Sequence, residues 1–323
     1  MSINDKVYGR VRIDSEVILE LINSKAVQRL KDISQFGIPD TFYHLKNFSR
    51  YEHSLGVMIL LKKLGASEEE QIAGLLHDVS HTAFSHLIDW VIGEGKTEDY
   101  QDEQHVRYVA SSDIPAILKT HGYKPDRIVD YHHFGLLERE LPDLCADRVD
   151  YSLRELPTGV IDICLPALRA VDNKIVFTDK TTALLFARNF LNLQTDHWGG
   201  FEATSRYRIF ADVLRLALKD GSIAEDDFWQ DDNFLVTKLL ASKNGEVQGI
   251  LQILRHKSLS LLPKSNITVY KKFRHVDPLF VANDELVRLS QASHEFSQEL
   301  ENARQANKHG IVIASVAELA SSK

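Results

Sequence analysis

The first feature of the chain is its apolar periodicity. Over residues 15–155, apolar positions recur every three or four residues, which is the period of amphipathic α-helices. The stretch SRYEHSLGVMILLKKLG places Ser49 three residues before Glu52, the spacing of a capping box, and ends at Gly65. The next stretch, SEEEQIAGLLHD, repeats the capping-box spacing. The pattern predicts two capped helices in succession.

The same reading extends along most of the chain. HTAFSHLIDWVIG carries an apolar stripe at helical spacing, LPDLCADRVDYSLREL predicts a helix with Pro142 in its first turn, and two further helices are expected within 183–218. Only NITVYKKFRHVDPLF and HGIVIAS alternate enough to predict strands. We therefore expect a mainly α fold, with a helical domain over 1–260 and a small mixed α/β C-terminal portion over 261–323.

Composition narrows the class of protein. With 323 residues, of which 44% are hydrophobic, the chain can bury a sizeable core. Its formal net charge of -8 argues against non-specific nucleic-acid binding, which needs a basic surface. Two cysteines, Cys145 and Cys164, indicate a reducing compartment. The N-terminus does not resemble a signal peptide and no apolar run is long enough for a membrane span, so we expect a cytoplasmic protein.

Candidate chemistry lies at the ends of the first two capped helices. His53 falls in the first turn of one, and His77 and Asp78 fall at the C-terminal end of the next. Adjacent helical residues point about 100° apart, so His77 and Asp78 can share one ion only near a helix end, with other ligands completing the site. An aspartate from further along the chain is needed, and Asp147 is the candidate.

The helix that supplies Asp147 has a polar face. Asp147, Asp150, Tyr151 and Arg154 fall at i, i+3, i+4 and i+7, which places them on one side of a helix. Such a face predicts the wall of a polar pocket. Two histidines and two aspartates suit Mn, Fe, Zn or Mg, with water at the open positions.

The ordered set of His53, His77-Asp78 and Asp147 resembles the H…HD…D signature of the HD-domain metal-dependent phosphohydrolases. The flanks RYEHSLGV, AGLLHDVSHTAFSH and DRVDY resemble most closely the deoxynucleoside triphosphate triphosphohydrolase branch. The resemblance implies an HD-domain helical bundle, a divalent metal ion as cofactor and a nucleotide or other phosphorylated small molecule as substrate. It also implies hydrolysis of a dNTP to a deoxynucleoside and triphosphate, and a homo-oligomer.

Residue roles follow from the same resemblance. The metal ligands would be His53, His77, Asp78 and Asp147. His81 and His86 match active-site histidines near the scissile phosphate, and Asp89 matches the acid that positions one of them; the i, i+3 spacing of His86 and Asp89 agrees with this. The substrate contacts would be Gln35 and Tyr151 at the sugar, and Arg50, Arg148 and Arg188 at the phosphates.

The chain departs from the family pattern at three places. Where the family has a His-Glu pair, this chain has Asp102-Glu103, with His105 displaced. The position of a family tyrosine that contacts the nucleotide falls near Asp196, within LQTDHWGG, where this chain has no tyrosine. His132 and His133 stand where dinuclear HD phosphodiesterases place additional metal ligands. These departures leave open another HD phosphohydrolase activity, on a phosphomonoester or a phosphodiester, and a nucleotide-binding regulatory protein without turnover.

Overall fold

The computed structural model describes residues 1–92 and 99–316; the side chain of His132 also lies outside what it describes. Within these residues the helices are α1 (Glu16–Ile22), α2 (Lys25–Arg29), α3 (Arg50–Lys63), α4 (Glu68–Leu76), α5 (Leu87–Ile92), α6 (Tyr100–Ser111), α7 (Ile114–Thr120), α8 (Pro125–Val129), α9 (Ala146–Glu155), α10 (Thr158–Cys164), α11 (Lys180–Asn192), α12 (Phe201–Lys219), α13 (Asp232–Ala241), α14 (Gly245–Leu254), α15 (Leu289–Ala292) and α16 (His294–Lys308). The strands are β1 (Ser2–Asp5), β2 (Gly9–Arg12), β3 (Leu168–Val171), β4 (Lys174–Phe177), β5 (Lys264–Val269), β6 (Leu279–Ala282), β7 (Glu285–Arg288) and β8 (Ile311–Ala314). The mainly α fold is confirmed.

Two clusters of buried apolar side chains form the interior. The larger one joins α1–α4, α9 and α11 with α16 and the strands β4 and β6. The smaller one joins α5 and α12–α14 with β8. The pocket described below is lined by residues from both clusters, so it lies where the two meet.

Helix α3 is central to the larger cluster and packs on α4 and α9. Its predicted capping box is confirmed: the Ser49 hydroxyl accepts from the Glu52 amide, and the Glu52 carboxylate accepts from the Ser49 amide. The chain leaves α3 through Gly65, whose φ of +78° suits glycine. The α4 cap is only half of the predicted box, because the Glu70 carboxylate accepts from the amides of Leu136 and Leu137 instead.

Two predicted helices begin later than expected. HTAFSHLIDWVIG becomes helical only at Leu87, because Phe84 and Ser85 have positive φ values of 63° and 50°, and the Phe84 amide donates to Asp232 Oδ1 at 2.7 Å. LPDLCADRVDYSLREL becomes helical at Ala146, so Pro142 lies before the helix rather than in its first turn. In both cases the continuous apolar pattern concealed a non-helical segment.

The strands are more widely distributed than the sequence indicated. β1 and β2 pair at the N-terminus, and β3 and β4 form a hairpin in the middle of the chain. β6 pairs in parallel with β4 through Phe177 and Phe280, so segments 168–177 and 279–288 share one sheet in the order β3-β4-β6-β7. The boundary at 260 stays a prediction, and residues 317–323 lie outside the described part. No helix in the described residues is long and apolar enough to cross a bilayer.

Candidate metal and substrate site

Three helix ends bring the predicted metal ligands together. His53 lies in the first turn of α3, His77 is the C-terminal cap of α4, and Asp147 lies in the first turn of α9. His53 Nε2 is 2.9 Å from Asp147 Oδ1, and His77 Nε2 is 3.6 Å from the same oxygen. One ligand atom from each residue therefore lies within 4.8 Å of the others, close enough to hold one ion.

Behind His53, a buried carboxylate fixes the direction of the ring. Asp150, one turn after Asp147, accepts from His53 Nδ1–H at 2.8 Å, from Arg154 Nε at 2.7 Å and from the Tyr8 hydroxyl at 2.8 Å. The Arg154 guanidinium also donates to Asp5 at 2.8 Å, so the N-terminal hairpin supports the same group. A Cβ at Gly56 would overlap the Asp150 and Arg154 side chains, which is why α3 has glycine where α9 approaches.

His77 is oriented by its own helix. Its Nδ1–H donates to the Gly74 carbonyl at 2.8 Å, which leaves Nε2 to face the aspartates. This Nε2 atom is buried and has no hydrogen-bond partner in the part of the chain that the structure describes. A buried imidazole nitrogen that faces two aspartates and has no hydrogen-bond partner fits a metal ion. A histidine that binds a metal through one ring nitrogen typically donates a hydrogen bond from the other, as His77 does.

Asp78 completes the set of predicted ligands. One oxygen, Oδ2, accepts from the Arg50 guanidinium at 2.7 Å, whereas Oδ1 is 3.4 Å from His77 Nε2 and 3.2 Å from His81 Nε2. Arg50 in turn donates from Nε to the Ser85 hydroxyl at 3.0 Å. The turn at Ser85 therefore positions Arg50, and Arg50 positions Asp78.

The electrostatics of the cluster favour a cation. Burial disfavours charge on His77, yet Asp78 and Asp147 outweigh it and raise the pKa of His77 to about 9. The same competition raises the pKa of His53, where burial is outweighed by the hydrogen bonds to Asp147 and Asp150. In Asp147, burial would raise the pKa, but the two imidazoles lower it well below its usual range. Two aspartates that stay ionised while protons gather on the adjacent histidines form a site for positive charge.

The predicted catalytic histidines lie next to this cluster. The rings of His81 and His86 meet edge to face with centroids 4.7 Å apart, and both side chains line the pocket. Burial, followed by the charge of Arg50, lowers the pKa of His81 well below its usual range, so this imidazole is neutral. His86 Nδ1 lies 3.9 Å from Asp89 Oδ2, and Asp89 accepts from the Tyr100 amide at 3.0 Å.

The pocket in front of the cluster has a volume of about 610 Å³. Its lining includes residues that the sequence assigned to the sugar and residues that it assigned to the phosphates. Gln35 and Tyr151 line it, as do Arg50 and Arg148. The amide oxygen of Gln35 is buried and finds no donor among the residues described. Tyr151 stands one turn from Asp147, with its ring centroid 6.3 Å from that of His53.

The predicted phosphate-binding arginines are placed less uniformly. The Arg148 guanidinium donates to the carbonyls of Asp143 and Arg139, at 2.7 Å and 3.1 Å, and lies 3.1 Å from the sulfur of Cys145. Arg188 donates twice to Glu299, at 2.9 Å and 2.7 Å, and is not among the residues that line the pocket. The structure brings Arg50 and Arg148 to the pocket and leaves Arg188 outside it.

Among the described side chains, His133 does not contribute to a second ion site. His133 is 40% exposed and lies 3.8 Å from Asp130, outside the lining of the pocket, and the side chain of His132 is outside the described part. Glu138, Cys145 and Asp147 do cluster at metal-binding distances. A cation is already present there, because the Arg148 guanidinium lies 3.1 Å from the Cys145 sulfur and 3.7 Å from Glu138.

At the departures from the family pattern, the side chains have local partners. Asp102 lines the pocket and accepts from the Tyr131 hydroxyl at 2.7 Å. His105 is buried one turn further along α6 and its Nδ1 lies 2.9 Å from the Ser80 hydroxyl, which leaves it outside the pocket lining. Burial, together with the charge of His77, lowers the pKa of His105 to about 4.

Sequence reasoning missed one wall of the pocket. Glu155 accepts from His197 Nδ1–H at 2.6 Å and from the Trp198 indole at 2.8 Å, and His197 Nε2 lies 2.8 Å from the Tyr43 hydroxyl. Glu155 was accessible to the helical argument, since it lies two turns after Asp147 on the same face of α9. His197 and Trp198 were not, because they lie in a π-helical turn over 193–198 that breaks the helical periodicity.

Comparison with known proteins places this geometry in a family. Residues 50–155, which contain all four predicted metal ligands, match the HD domain family. An uncharacterized protein of Bacillus subtilis, YdhJ, is 38% identical over 97% of this chain and 98% of its own length. The metal-dependent phosphohydrolase cns2 of Cordyceps militaris is 29% identical over 85% of this chain and 84% of its own.

Other similarities extend over a smaller part of the chain or concern the fold alone. A SAMHD1 homologue of Dictyostelium discoideum, named as a deoxynucleoside triphosphate triphosphohydrolase, is 33% identical over 31% of this chain and 23% of its own. A crystal structure of a hypothetical protein from Aquifex aeolicus has the same fold, with a TM-score of 0.67 at 21% identity over 94% of this chain and 99% of that one. With the HD match, the extensive similarity to YdhJ and the His/Asp cluster, the chain belongs to the HD-domain family of metal-dependent phosphohydrolases.

Proposed function

We propose that this hydrolase converts a dNTP to a deoxynucleoside and triphosphate, with a divalent metal ion held by His53, His77, Asp78 and Asp147. The observation that carries the proposal is the position of Tyr151 on α9, one turn from Asp147, where both side chains line a single pocket. The similarity to the Dictyostelium SAMHD1 homologue supports the same substrate class.

The ion would supply Lewis-acid stabilisation of phosphate charge and increase the acidity of water. The protein orients the ligands of the ion. Hydrogen bonds to Asp150 and to the Gly74 carbonyl orient the rings of His53 and His77, and Arg50 holds Asp78. Because each ligand is fixed by a separate buried contact, little reorganisation is needed when the ion binds.

Proton transfer falls to the residues after the HD pair. Water adds to the α-phosphorus and releases a proton to solvent, the bond from phosphorus to the 5′-oxygen breaks, and that oxygen takes a proton from His86. His86 suits this role because its side chain is 26% exposed, at the edge of the pocket, and Asp89 lies on its Nδ1 side. The neutral His81 packs against the His86 ring and contacts Asp78, so it positions both groups.

Sugar recognition would use Tyr151 and Gln35. A tyrosine ring packed over the sugar leaves no space for a ribose 2′-hydroxyl, which favours deoxy substrates by steric exclusion. The buried amide oxygen of Gln35 accepts a hydrogen bond from a sugar hydroxyl, since a buried acceptor without a donor costs about 1–3 kcal/mol until it is paired.

The test compares hydrolysis of dNTPs and NTPs by the wild type and by Tyr151→Ala, with the metal supplied as Mn²⁺ or Mg²⁺. We expect the wild type to release tripolyphosphate from dNTPs faster than from NTPs, and Tyr151→Ala to narrow that difference. Equal rates on both sugars, or activity confined to monophosphates or cyclic dinucleotides, would move the protein to another HD activity. Absence of turnover on every nucleotide, with the metal bound, would support a regulatory protein.

Two further expectations stay predictions: a homo-oligomer, implied by the family resemblance, and a cytoplasmic location, expected from the sequence. Homo-oligomerisation is tested by light scattering after size-exclusion chromatography. A cytoplasmic location is tested by fractionation of cells that express the native chain.

A further inference from the structure

The three arginines that the sequence assigned to phosphates are all held by protein groups. Arg50 pairs with Asp78, Arg148 donates to two backbone carbonyls, and Arg188 pairs with Glu299 outside the pocket. Further positive charge along the pocket would strengthen the binding of a phosphate chain that extends from the metal site.

That charge comes from a segment near the C-terminus. Lys271, Lys272 and Arg274 all line the same pocket as His77 and Asp147. They follow β5 in the sequence, almost 200 residues beyond the HD pair. From residue 247 to residue 276 the chain contains no aspartate or glutamate, in a protein whose net charge is -8.

The structure holds the backbone of this segment in place. The Arg274 amide donates to Gln194 Oε1 at 3.2 Å, and the Asn307 side chain donates to the Lys271 carbonyl at 3.0 Å. Gln194 is buried, and its amide nitrogen lies 3.4 Å from Asn307 Oδ1. The side-chain amides of Gln194, in the π-helical turn, and Asn307, on α16, thus fix the backbone of residues 271–274 before any ligand binds.

Two contacts indicate where these cations lie in the pocket. The Lys271 ammonium lies 4.2 Å from the centre of the Tyr207 ring, on the pocket wall made by α12. The positive charge of Arg274 acts on Tyr151, where it opposes the rise in pKa that burial causes. Arg274 therefore lies near the proposed sugar position and Lys271 lies further along the wall.

We propose that Lys271, Lys272 and Arg274 form a phosphate-chain site that binds the non-reacting phosphates of the substrate. The identity of that substrate rests on the proposed function, but the binding of a polyphosphate does not. Positive side chains on a fixed backbone bind phosphate oxygens through charge-assisted hydrogen bonds, and each additional phosphate can engage a further donor. Affinity should therefore increase with the number of phosphates.

The experiment titrates metal-loaded protein with inorganic phosphate, pyrophosphate and tripolyphosphate by calorimetry. The variants are Lys272→Ala and Arg274→Gln, with Lys257→Ala as the matched control, because Lys257 is an exposed lysine of the same acid-free stretch that does not line the pocket. We expect each pocket variant to weaken tripolyphosphate binding roughly tenfold to hundredfold, as for loss of a charged hydrogen bond, and to weaken phosphate binding less. The control should bind like the wild type.

Three results would overturn the proposal. One is unchanged tripolyphosphate affinity in both pocket variants. Another is an equal loss for all three anions, and the third is a matching loss in Lys257→Ala, which would indicate non-specific attraction. A loss of metal content in the variants would indicate a structural role instead. If tripolyphosphate binds as expected while dNTPs are not hydrolysed, the phosphate-chain site stands and the proposed function fails.

Discussion

At the scale of single residues, function depends on buried partners behind the proposed ligands. Asp150 does not line the pocket. It accepts a hydrogen bond from His53 Nδ1, and it is held in turn by hydrogen bonds from Arg154 and Tyr8. Carboxylates of this kind set the tautomer and direction of a ligating imidazole. The helical spacing predicted that Asp150 shares a face with Asp147, but which of the two faces the ion depends on how α9 packs on α3.

We expect Asp150→Asn to reduce metal affinity by roughly 10- to 100-fold, because the amide cannot match the carboxylate as acceptor for both His53 and Arg154. Competition of the protein with a chromogenic chelator measures the affinity. Asp162→Asn, an exposed carboxylate on α10, is the control. Wild-type affinity in Asp150→Asn would show that His53 is held by other contacts.

A different outcome is expected for His86. His86→Ala should retain metal but lose roughly 10²- to 10⁴-fold in turnover, the range typical of a lost general acid. Elemental analysis and steady-state rates at saturating substrate separate the two effects. His77→Ala provides the comparison, since it should lose both metal and turnover. If His86→Ala kept wild-type turnover, the proton would have to come from another group.

At the scale of elements, one buried carboxylate joins the segments that shape the pocket. Asp232, at the start of α13, accepts from the Ser34 amide at 2.9 Å and from the Phe84 amide at 2.7 Å. The first amide precedes Gln35 and the second precedes Ser85, the partner of Arg50. Asp232 thus fixes two loops that the sequence pattern did not connect.

We predict that Asp232→Ala lowers the free energy of unfolding by about 2–4 kcal/mol, because two buried amides lose their acceptor. The adjacent Asp231 is the matched control: its side chain caps α13 by accepting from the Phe234 amide, and its loss should cost only about 1 kcal/mol. Urea denaturation measures both values. Equal costs for the two variants would contradict the role of Asp232 in joining the loops.

At the scale of the whole molecule, the C-terminal portion contributes to both interior clusters. Phe280 and Phe296 belong to the larger cluster, and Ile313 belongs to the smaller one. β6 also adds to the sheet begun by β3 and β4. Such shared packing couples the stability of residues 261–316 to that of the helices that hold the metal ligands.

We expect Phe280→Ala to destabilise the whole chain by about 3–5 kcal/mol, the range for emptying a buried phenylalanine site. The three tryptophans, at positions 90, 198 and 229, all precede residue 260, so their fluorescence follows the unfolding of that part of the chain. Tyr270→Ala, which removes a side chain that is 60% exposed, should change stability by less than about 0.5 kcal/mol. An unchanged fluorescence transition in Phe280→Ala would instead support an independent domain over 261–323.

The sequence by itself determined what depends on local spacing. Helical periodicity and capping located α3 and α4, because both features depend on neighbours a few residues away. The metal cluster was predicted differently: the order of His53, His77-Asp78 and Asp147 resembles a family signature, although these residues are far apart in the chain. The paired strands β3 and β4 also had a local signal, since the Asp172-Asn173 turn has the positive φ values of a tight hairpin. That signal was overlooked rather than absent.

Only the tertiary structure decided how distant segments share the pocket. Residues 271–274 and the His197–Glu155 wall reach the pocket through contacts between segments far apart in the chain, and no periodicity encodes such contacts. The same is true of Arg188, whose charge is engaged by Glu299 because α11 packs against α16. Side-chain type established which residues can bind an ion or a phosphate, whereas packing determined which of them face the pocket.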